Sequence, residues 1–322
     1  MKKYLFSVLA LFSLTVVPVF AGVNSAKTLL IEMNTASQHL DYEVSYILVK
    51  KGGIEPLMYR HAYSEKDGQL AHLVYLSGPM REVIRRGNEV SYIDPGVEPF
   101  TIESGTMVGP TIPFLNTNVD HLSNFYDFIQ VGRAREAGAT CQVLRIVPKD
   151  GQRYSYVLWV DEKTKLPLRA DLVDRDGETL EQYRTISYNI SKKVEEALNV
   201  LKTAALPEVL SLPKGQLKKT HWAVGWIPVG FEAKEVSRYR MNNSDRMVES
   251  QLYSDGLFSF SVYVADADSL SLKGQLIRQG RRTLHSFVRS GREISVIGDI
   301  PPATAERIAK SIKVTSSESV VQ

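Results

Sequence analysis

Asp41–Gly53, DYEVSYILVKKGG, is the stretch that decides the fold. Tyr42, Val44 and Tyr46 alternate with polar neighbours, and this period of two predicts a β-strand that buries one face. The two glycines that end the run predict a tight turn. Similar runs continue along the chain with turn dipeptides between them, so we expect an antiparallel meander. These dipeptides are Asp67-Gly68, Gly78-Pro79, Gly87-Asn88 and Pro95-Gly96.

A helix is predicted ahead of this meander, and a longer sheet after it. Ser25–Gln38 carries apolar residues spaced three and four apart, which is typical of one helical face. Strands resume over Val131–Ile190, where Tyr154–Val160 is apolar on both faces. A sheet of this length twists and leaves exposed edges unless it curls. The predicted fold is therefore mainly β with α: a strongly curved antiparallel sheet with a helix in its concavity.

Residues 101–130 interrupt the strand pattern with glycines and prolines, followed by the aromatic residues Phe125, Tyr126 and Phe128. A long irregular segment at the mouth of a sheet is often a lid or rim, and the alternative is a packed connecting loop. We expect the concave face to form an apolar groove for lipid or an extended peptide, lined by these three rings together with Tyr154 and Tyr156. The alternative is that the helix fills this groove.

A second, smaller unit is predicted after a linker. Val194, Ala197, Leu198 and Leu201 indicate a helix, and prolines and a glycine then interrupt regular structure. Short strands around Asp255-Gly256 and a final helix with Pro302 in its first turn predict an α+β unit. The predicted organisation is a signal peptide at 1–21, a large domain at 22–205, a linker at 206–218, a small domain at 219–318 and a tail at 319–322.

The N-terminal residues have the pattern of a secretory signal peptide. Lys2 and Lys3 precede the apolar run Leu5–Val17, and Ala21 stands at the expected cleavage point. No cysteine follows that point, so we expect a soluble exported protein without a lipid anchor. The formal net charge of +3 falls to +1 when the signal is removed, which gives no reason to expect nucleic-acid binding. The single cysteine, Cys141, is expected to be a small buried hydrophobe rather than a reactive thiol.

Catalytic and metal-binding patterns are absent from the sequence. The six histidines are scattered, without the spacing of a local zinc site. Asp174–Gly177 resembles a calcium loop briefly, but its alignment places Leu172 and Tyr183 where carboxylate ligands are required, so a hairpin turn is expected. We therefore expect no enzyme activity, no cofactor and no metal, although carboxylates from distant strands remain a possible catalytic pair.

A basic run is the other candidate binding feature. Ser269–Arg292 contains six bases and no acid, and arginine recognises carboxylate and phosphate groups with two parallel hydrogen bonds. The run can therefore hold an acidic peptide or a lipid phosphate, and its alternative is a solvated strand face. The six candidates are Lys273, Arg278, Arg281, Arg282, Arg289 and Arg292.

Several strings in fixed order make the chain resemble the RseB/MucB family over nearly all of its mature length. They are Arg153–Trp159 (RYSYVLW), Asp174–Gln182 (DRDGETLEQ), Glu249–Phe260 (ESQLYSDGLFSF), Gly280–Arg282 and Gly298–Ile308.

The resemblance implies a periplasmic negative regulator of the sigma-E envelope-stress response. Such proteins bind the periplasmic domain of the anti-sigma factor RseA and shield it from the protease DegS, and lipopolysaccharide or a related lipid releases them. The family's large domain is similar to the LolA and LolB carriers, a half-open barrel with a helical plug, and homo-oligomers are expected. The alternative function is a periplasmic lipid or lipoprotein carrier, for which the second domain would be unnecessary.

Overall fold

The computed structural model describes residues 22–210, 220–240, 246–269, 271–272 and 274–314. The expected signal peptide, the tail at 319–322 and residues 211–218 of the expected linker lie outside these ranges, as does Lys273.

The larger sheet has eleven antiparallel strands in the order β6-β5-β4-β3-β2-β1-β11-β10-β9-β8-β7. Its end strands, β6 and β7, do not pair with each other, so the sheet is half open as predicted. The alternation seen in the sequence holds, because Tyr42, Val44, Tyr46 and Leu48 are all buried. The strands are β1 Tyr42–Lys50, β2 Gly53–Ser64, β3 Gly68–Tyr75, β4 Glu82–Arg86, β5 Glu89–Ile93, β6 Phe100–Glu103, β7 Tyr126–Glu136, β8 Ala139–Pro148, β9 Ser155–Asp161, β10 Pro167–Val173 and β11 Thr179–Ile190.

Helix α1, Gly22–His39, fills the concavity of this sheet. Leu29, Leu30 and Met33 on its apolar face are buried in the same core as the β1 side chains. The helix contacts both β2 and β7, which are separated by five strands in the sheet order. A single helix reaches both only because the sheet curls around it. The predicted helix in the concavity is therefore confirmed.

The irregular segment between β6 and β7 is a packed connection. Ile112 and Phe114 are buried, and the Tyr46 hydroxyl donates a hydrogen bond of 2.6 Å to the carbonyl of Pro110. Phe114 meets Tyr156 edge-on with ring centroids 5.2 Å apart. The short helix α2, Val119–Leu122, follows. Of the two sequence alternatives, the structure supports the packed loop.

Helix α3, Lys192–Thr203, forms a separate cluster with the sheet. Its N-cap Ser191 accepts a hydrogen bond of 3.2 Å from the backbone N–H of Lys193. Val194 and Leu198 pack with Ala62 and Leu70 from β2 and β3.

The smaller sheet has six antiparallel strands in the order β13-β14-β15-β18-β17-β16, with helix α4, Pro302–Ser311, packed on β17 and β18. Ala305, Ile308 and Ala309 on that helix are buried, as the sequence predicts. An additional strand pair joins β12 to β19. The strands are β12 Trp222–Val224, β13 Glu232–Arg240, β14 Met247–Ser254, β15 Ser259–Asp266, β16 Gln275–Gln279, β17 Arg282–Arg289, β18 Arg292–Gly298 and β19 Ile312–Val314.

Candidate functional site: the junction of the two sheets

Aromatic packing joins the two sheets into one continuous core. Phe258, from the turn between β14 and β15, stacks on Tyr156 of β9 with centroids 5.7 Å apart and ring planes at 9°. It also meets Tyr154 edge-on at 6.1 Å. The Tyr154 hydroxyl donates to the carbonyl of Ile300 over 3.1 Å. The junction is therefore closely packed at its centre.

A buried ion pair lies beside this packing. Arg153 Nε is 2.9 Å from Asp255 Oδ2, and both side chains are almost completely buried. The guanidinium lies over the rings of Tyr126 and Phe231, 5.3 and 5.0 Å from their centroids. The Tyr126 hydroxyl donates to Asp255 over 2.6 Å, and burial, reinforced by the Asp255 charge, raises the pKa of Tyr126. Asp255 thus has two partners from the larger sheet's half of the chain, which offset part of its desolvation.

Further ion pairs connect the sheets at the basic run. Arg278 Nη1 is 3.2 Å from Asp174 Oδ2, and its Nη2 is 3.1 Å from Glu178 Oε2. Arg281 pairs with Asp299 on its own sheet and lies 3.6 Å from Glu181 of β11. Burial raises the pKa of Glu181, and the nearby Arg281 opposes that shift. Two of the predicted bases therefore hold the sheets together instead of extending into solvent.

Two adjoining cavities of about 420 and 580 Å³ open at this end of the junction, and together they are called the junction cleft. One wall is the β1–β2 turn with Lys50 and Lys51, and the other is the β16–β17 turn with Arg281 and Arg282. Lys50 Nζ is 3.3 Å from a carboxylate oxygen of Glu55. Arg282 Nε is 3.6 Å from a carboxylate oxygen of Asp299, but the Arg282 side chain is 69% exposed. Three acids, Glu178, Glu181 and Asp299, also line the cleft, and each is paired with Arg278 or Arg281. The exposed cations beside these pairs, Lys51 and Arg282, suit a ligand that carries carboxylates or phosphates.

The structure brings only part of the basic run to this cleft. Arg278, Arg281 and Arg282 line it, but Arg289 and Arg292 pair with each other in register at the opposite end of β17 and β18. There Arg289 donates to the carbonyl of Ile312, and Arg292 lies 2.8 Å from Asp266. Arg289 and Arg292 therefore do not share a single binding patch with Arg278, Arg281 and Arg282.

Lys50 and Lys51 were not among the sequence candidates. The available signal was a pair of lysines directly before Gly52-Gly53, which places two cations at a turn. Nothing in the sequence places that turn beside the basic run, because the two are more than 200 residues apart in the chain.

The five candidate groove residues are packing groups in this structure. Tyr126, Phe128, Tyr154 and Tyr156 are buried. Phe125 lies so close to Gly230 that a Cβ there would come within 2.7 Å of the ring, and the positive φ of Gly230 also favours glycine. Phe125 is half-buried, and a ligand would have to displace packed residues to reach the other four rings. Their binding role stays a prediction.

The apolar groove itself is occupied by the chain. A cavity on the concave side, next to Tyr42, Tyr46 and Ile112, measures about 10 Å³, roughly the space of one water molecule. An acyl chain does not fit there. This supports the alternative in which helix α1 and the packed loop fill the groove, and it weighs against the lipid-carrier function.

Metal and thiol chemistry find no support within the described ranges. No group of three or more His, Cys, Asp or Glu side chains is placed there to hold a metal ion. Cys141 is fully buried in β8, and burial raises the pKa of its thiol to about 11, so it is the buried hydrophobe expected. Asp174–Gly177 forms the predicted hairpin turn, with Asp174 accepting from the N–H groups of Asp176 and Glu178. None of the described helices is long and apolar enough to cross a membrane.

Two family models cover almost all of the described chain: the MucB/RseB N-terminal domain matches residues 25–209, and the MucB/RseB C-terminal domain matches residues 216–313. The chain belongs to the MucB/RseB family. Sigma-E factor regulatory protein RseB of Salmonella typhimurium is 49% identical over 287 residues, which are 88% of this chain and 89% of that protein. RseB of Escherichia coli K12 is 48% identical over 286 residues, with the same coverage of both chains. Sigma factor AlgU regulatory protein MucB of Pseudomonas aeruginosa is 26% identical and covers 95% of this chain and 96% of its own.

Solved structures of this family share the fold. MucB in the Pseudomonas aeruginosa MucA/MucB complex aligns with a TM-score of 0.75 at 22% identity, covering 91% of this chain and all of that one. A second structure, MucB in complex with MucA(peri), aligns with a TM-score of 0.71 at 23% identity and the same coverage. The two-sheet architecture is therefore that of the MucB/RseB family.

Proposed function

We propose that this chain is a periplasmic, non-enzymatic negative regulator of sigma-E that binds the periplasmic domain of the anti-sigma factor RseA. The observation that carries the proposal is the similarity to RseB regulators, 49% identical across both halves of the chain. The structures of MucB with MucA support a partner of this kind.

The mechanism is steric. A regulator that covers the cleavable segment of RseA denies it to the protease DegS, and lipopolysaccharide or a related lipid reverses this by binding the released form more tightly. A ligand shifts such an equilibrium only through its differential affinity, and a change from mostly bound to mostly free requires about 5 kcal/mol. A lipid with a weaker preference would only adjust the response.

The proposal includes the organisation predicted from the sequence. Residues 1–21 are removed on export, and domains at 22–205 and 219–318 are joined by a linker at 206–218, with a tail at 319–322. The mature protein is then free in the periplasm and forms homo-oligomers. No nucleic acid or cofactor takes part.

The junction cleft is the proposed contact for acidic groups of RseA or phosphates of the lipid. Lys51 and Arg282 are the exposed cations on its two walls, while Arg278 and Arg281 are already held in ion pairs between the sheets. Variants that test the contact should therefore change Lys51 and Arg282, because replacing Arg281 would also break its ion pair with buried Asp299.

The first test is a cleavage assay with the purified mature chain, the periplasmic domain of RseA and DegS. We expect the chain to slow cleavage in proportion to its occupancy of RseA, and added lipopolysaccharide to restore the rate. Cleavage at the same rate with and without a saturating amount of the chain would refute the function.

The second test locates the contact. Lys51→Glu with Arg282→Glu should weaken RseA binding by roughly tenfold or more and flatten its dependence on ionic strength, because two favourable charges become unfavourable. Arg175→Glu with Lys310→Glu is the matched control, since both bases are exposed and lie outside the cleft. Equal affinity of the two double variants would place the contact elsewhere.

A further inference from the structure

The contacts between the two sheets cover only part of one end of the larger sheet. They lie around Arg153, Asp174 and Glu181, where strands β9, β10 and β11 begin or end. Lys50 at the end of β1 lies opposite Glu181, and the strands from β1 to β6 pair in consecutive antiparallel order. The β1–β2, β3–β4 and β5–β6 turns therefore form the rest of this same end.

These turns carry a concentration of exposed apolar side chains. Among the described residues, nine large apolar side chains are more than half exposed, and five of them lie at this end. Single exposed apolar residues are normal on a protein surface, but their concentration on successive turns indicates a contact site. The five, called the apolar rim, are Ile54 on the β1–β2 hairpin, Leu76 and Met80 on the β3–β4 turn, Val97 on the β5–β6 turn and Val108 on the loop after β6.

The loop after β6 returns to this end of the sheet, so Val108 belongs to the rim. Its backbone N–H donates a hydrogen bond of 3.0 Å to the hydroxyl of Tyr92 on β5. Val108 also lines the junction cleft together with Lys51. The apolar rim is therefore continuous with the cleft but extends away from the smaller sheet, along the turns.

Two of the turns combine an apolar side chain with a base. Exposed Lys51 lies three positions before Ile54, and Arg81 directly follows Met80, which is 72% exposed. The Arg81 guanidinium lies over the ring of Tyr75, 4.0 Å from its centroid. Apolar side chains flanked by bases are typical of segments that enter a membrane interface, with the apolar groups below the headgroups and the bases at the phosphates.

The acids at this end oppose the bases only in part. Glu55 is shared by Lys50 at 3.3 Å and Arg81 at 3.1 Å, and its side chain is mostly buried. Asp94 accepts a hydrogen bond of 3.0 Å from the backbone N–H of Gly96 in its own turn. Glu98, on the β5–β6 turn, is exposed. The cationic part of the rim is therefore formed by the β1–β2 and β3–β4 turns.

We propose that the apolar rim docks reversibly on the surface of a phospholipid bilayer with anionic headgroups. Ile54 and Met80 enter the boundary between headgroups and acyl chains, while Lys51 and Arg81 meet the phosphates. Separate tips on different turns favour a lipid surface over a protein partner, because a protein interface needs a packed central cluster, whereas lipid surrounds each inserted side chain individually. This contact goes beyond the proposed binding to RseA and does not depend on it.

Co-sedimentation of the mature protein with vesicles of phosphatidylethanolamine and phosphatidylglycerol tests the proposal. Ile54→Ser with Met80→Ser should lower the vesicle partition coefficient about tenfold or more, because two inserted side chains are lost. Ile186→Ser with Val200→Ser is the matched control, since these side chains are 63% and 68% exposed and lie on β11 and α3, outside the rim. Vesicles of phosphatidylcholine alone, which carry no net charge, should bind the wild type more weakly.

A fluorescent label supplies a second measurement, at the tip itself. Cys141 is fully buried, so a cysteine introduced by Met80→Cys can be labelled selectively with an environment-sensitive dye. Addition of the same anionic vesicles should shift its emission to shorter wavelength, whereas the label on Val200→Cys should not respond.

Several results would overturn the proposal. They are a wild type that does not bind the anionic vesicles, equal binding by the two double variants, equal binding of the wild type to both kinds of vesicle, or no emission shift at position 80. The rim variant should keep its melting temperature and its affinity for RseA. Loss of RseA binding with unchanged vesicle binding would instead assign the rim to that partner, and failure of the vesicle tests alone would leave the proposed function intact.

Discussion

His61 is a buried titratable residue that the proposed function does not use. It lies on β2, 2% exposed, and its Nδ1 is 2.8 Å from the carbonyl of Leu40. A carbonyl only accepts, so Nδ1 carries the proton of a neutral ring that stacks on Tyr42 at 5.3 Å. Burial lowers the pKa of His61 to about 4; the Leu40 hydrogen bond opposes this shift, and nearby Arg85 adds to it.

This lowered pKa predicts a loss of stability in mild acid. The unfolded chain takes up a proton as the pH falls through 6.5, but the folded chain does not until about pH 4. The contribution of His61 is therefore complete above pH 6.5 and decreases by about 3 kcal/mol towards pH 4. Urea unfolding from pH 7 to pH 4 should show a shallower decline for His61→Gln than for the wild type. Parallel curves would contradict the assignment.

Local sequence patterns predicted the features that depend on neighbouring residues, but not the contacts between residues far apart in the chain. The burial of Cys141 and the turn at Asp174–Gly177 follow from local pattern, and both were predicted. The Arg153–Asp255 pair was not, because its members are about a hundred residues apart and no spacing rule connects them. The same reason explains why Lys50 and Lys51 were missed.

At the scale of elements, regular periodicity determined what could be predicted. Helices α1 and α4 and strands β14, β15, β17 and β18 were anticipated, since their apolar residues recur at a clear period. Strand β13, EAKEVSRYR, was missed because charged residues dominate it, and β16, QLIRQ, because it is an exposed edge without a buried face. Edge strands are defined by their neighbours in the sheet, which a local pattern does not record.

Helix α1 is expected to be essential to the larger sheet, since it occupies the space that the sheet encloses. Met33 is fully buried, so Met33→Ala should lower the free energy of unfolding by about 2–5 kcal/mol through the cavity it leaves. Ile31→Ala, at an exposed position of the same helix, is the control and should cost much less. Equal losses in urea denaturation would show that the helix does not fill the concavity as described.

For the whole molecule, the shared core predicts cooperative unfolding. Buried residues of both sheets form one continuous cluster, so differential scanning calorimetry should record a single transition. Phe258→Ala removes the ring that stacks between the sheets and should cost about 3–5 kcal/mol while separating the melting of the two sheets. Phe287→Ala, on β17 and beside His285, is the control and should leave one transition. Two transitions in the wild type would contradict the prediction.

The order of strands also governs how the chain reaches this state. β1 and β11 are neighbours in the sheet, with Tyr42 opposite Ile190, so the first strand formed pairs with the last. Strand β1 can pair early with β2 through the short β1–β2 turn, but its other edge has no partner until β11, near the end of the domain, is available. Pairing between strands so far apart in the chain is slow, and until it occurs apolar surface that promotes aggregation stays exposed. The larger sheet is therefore completed only when Ile190 and the rest of β11 dock on β1.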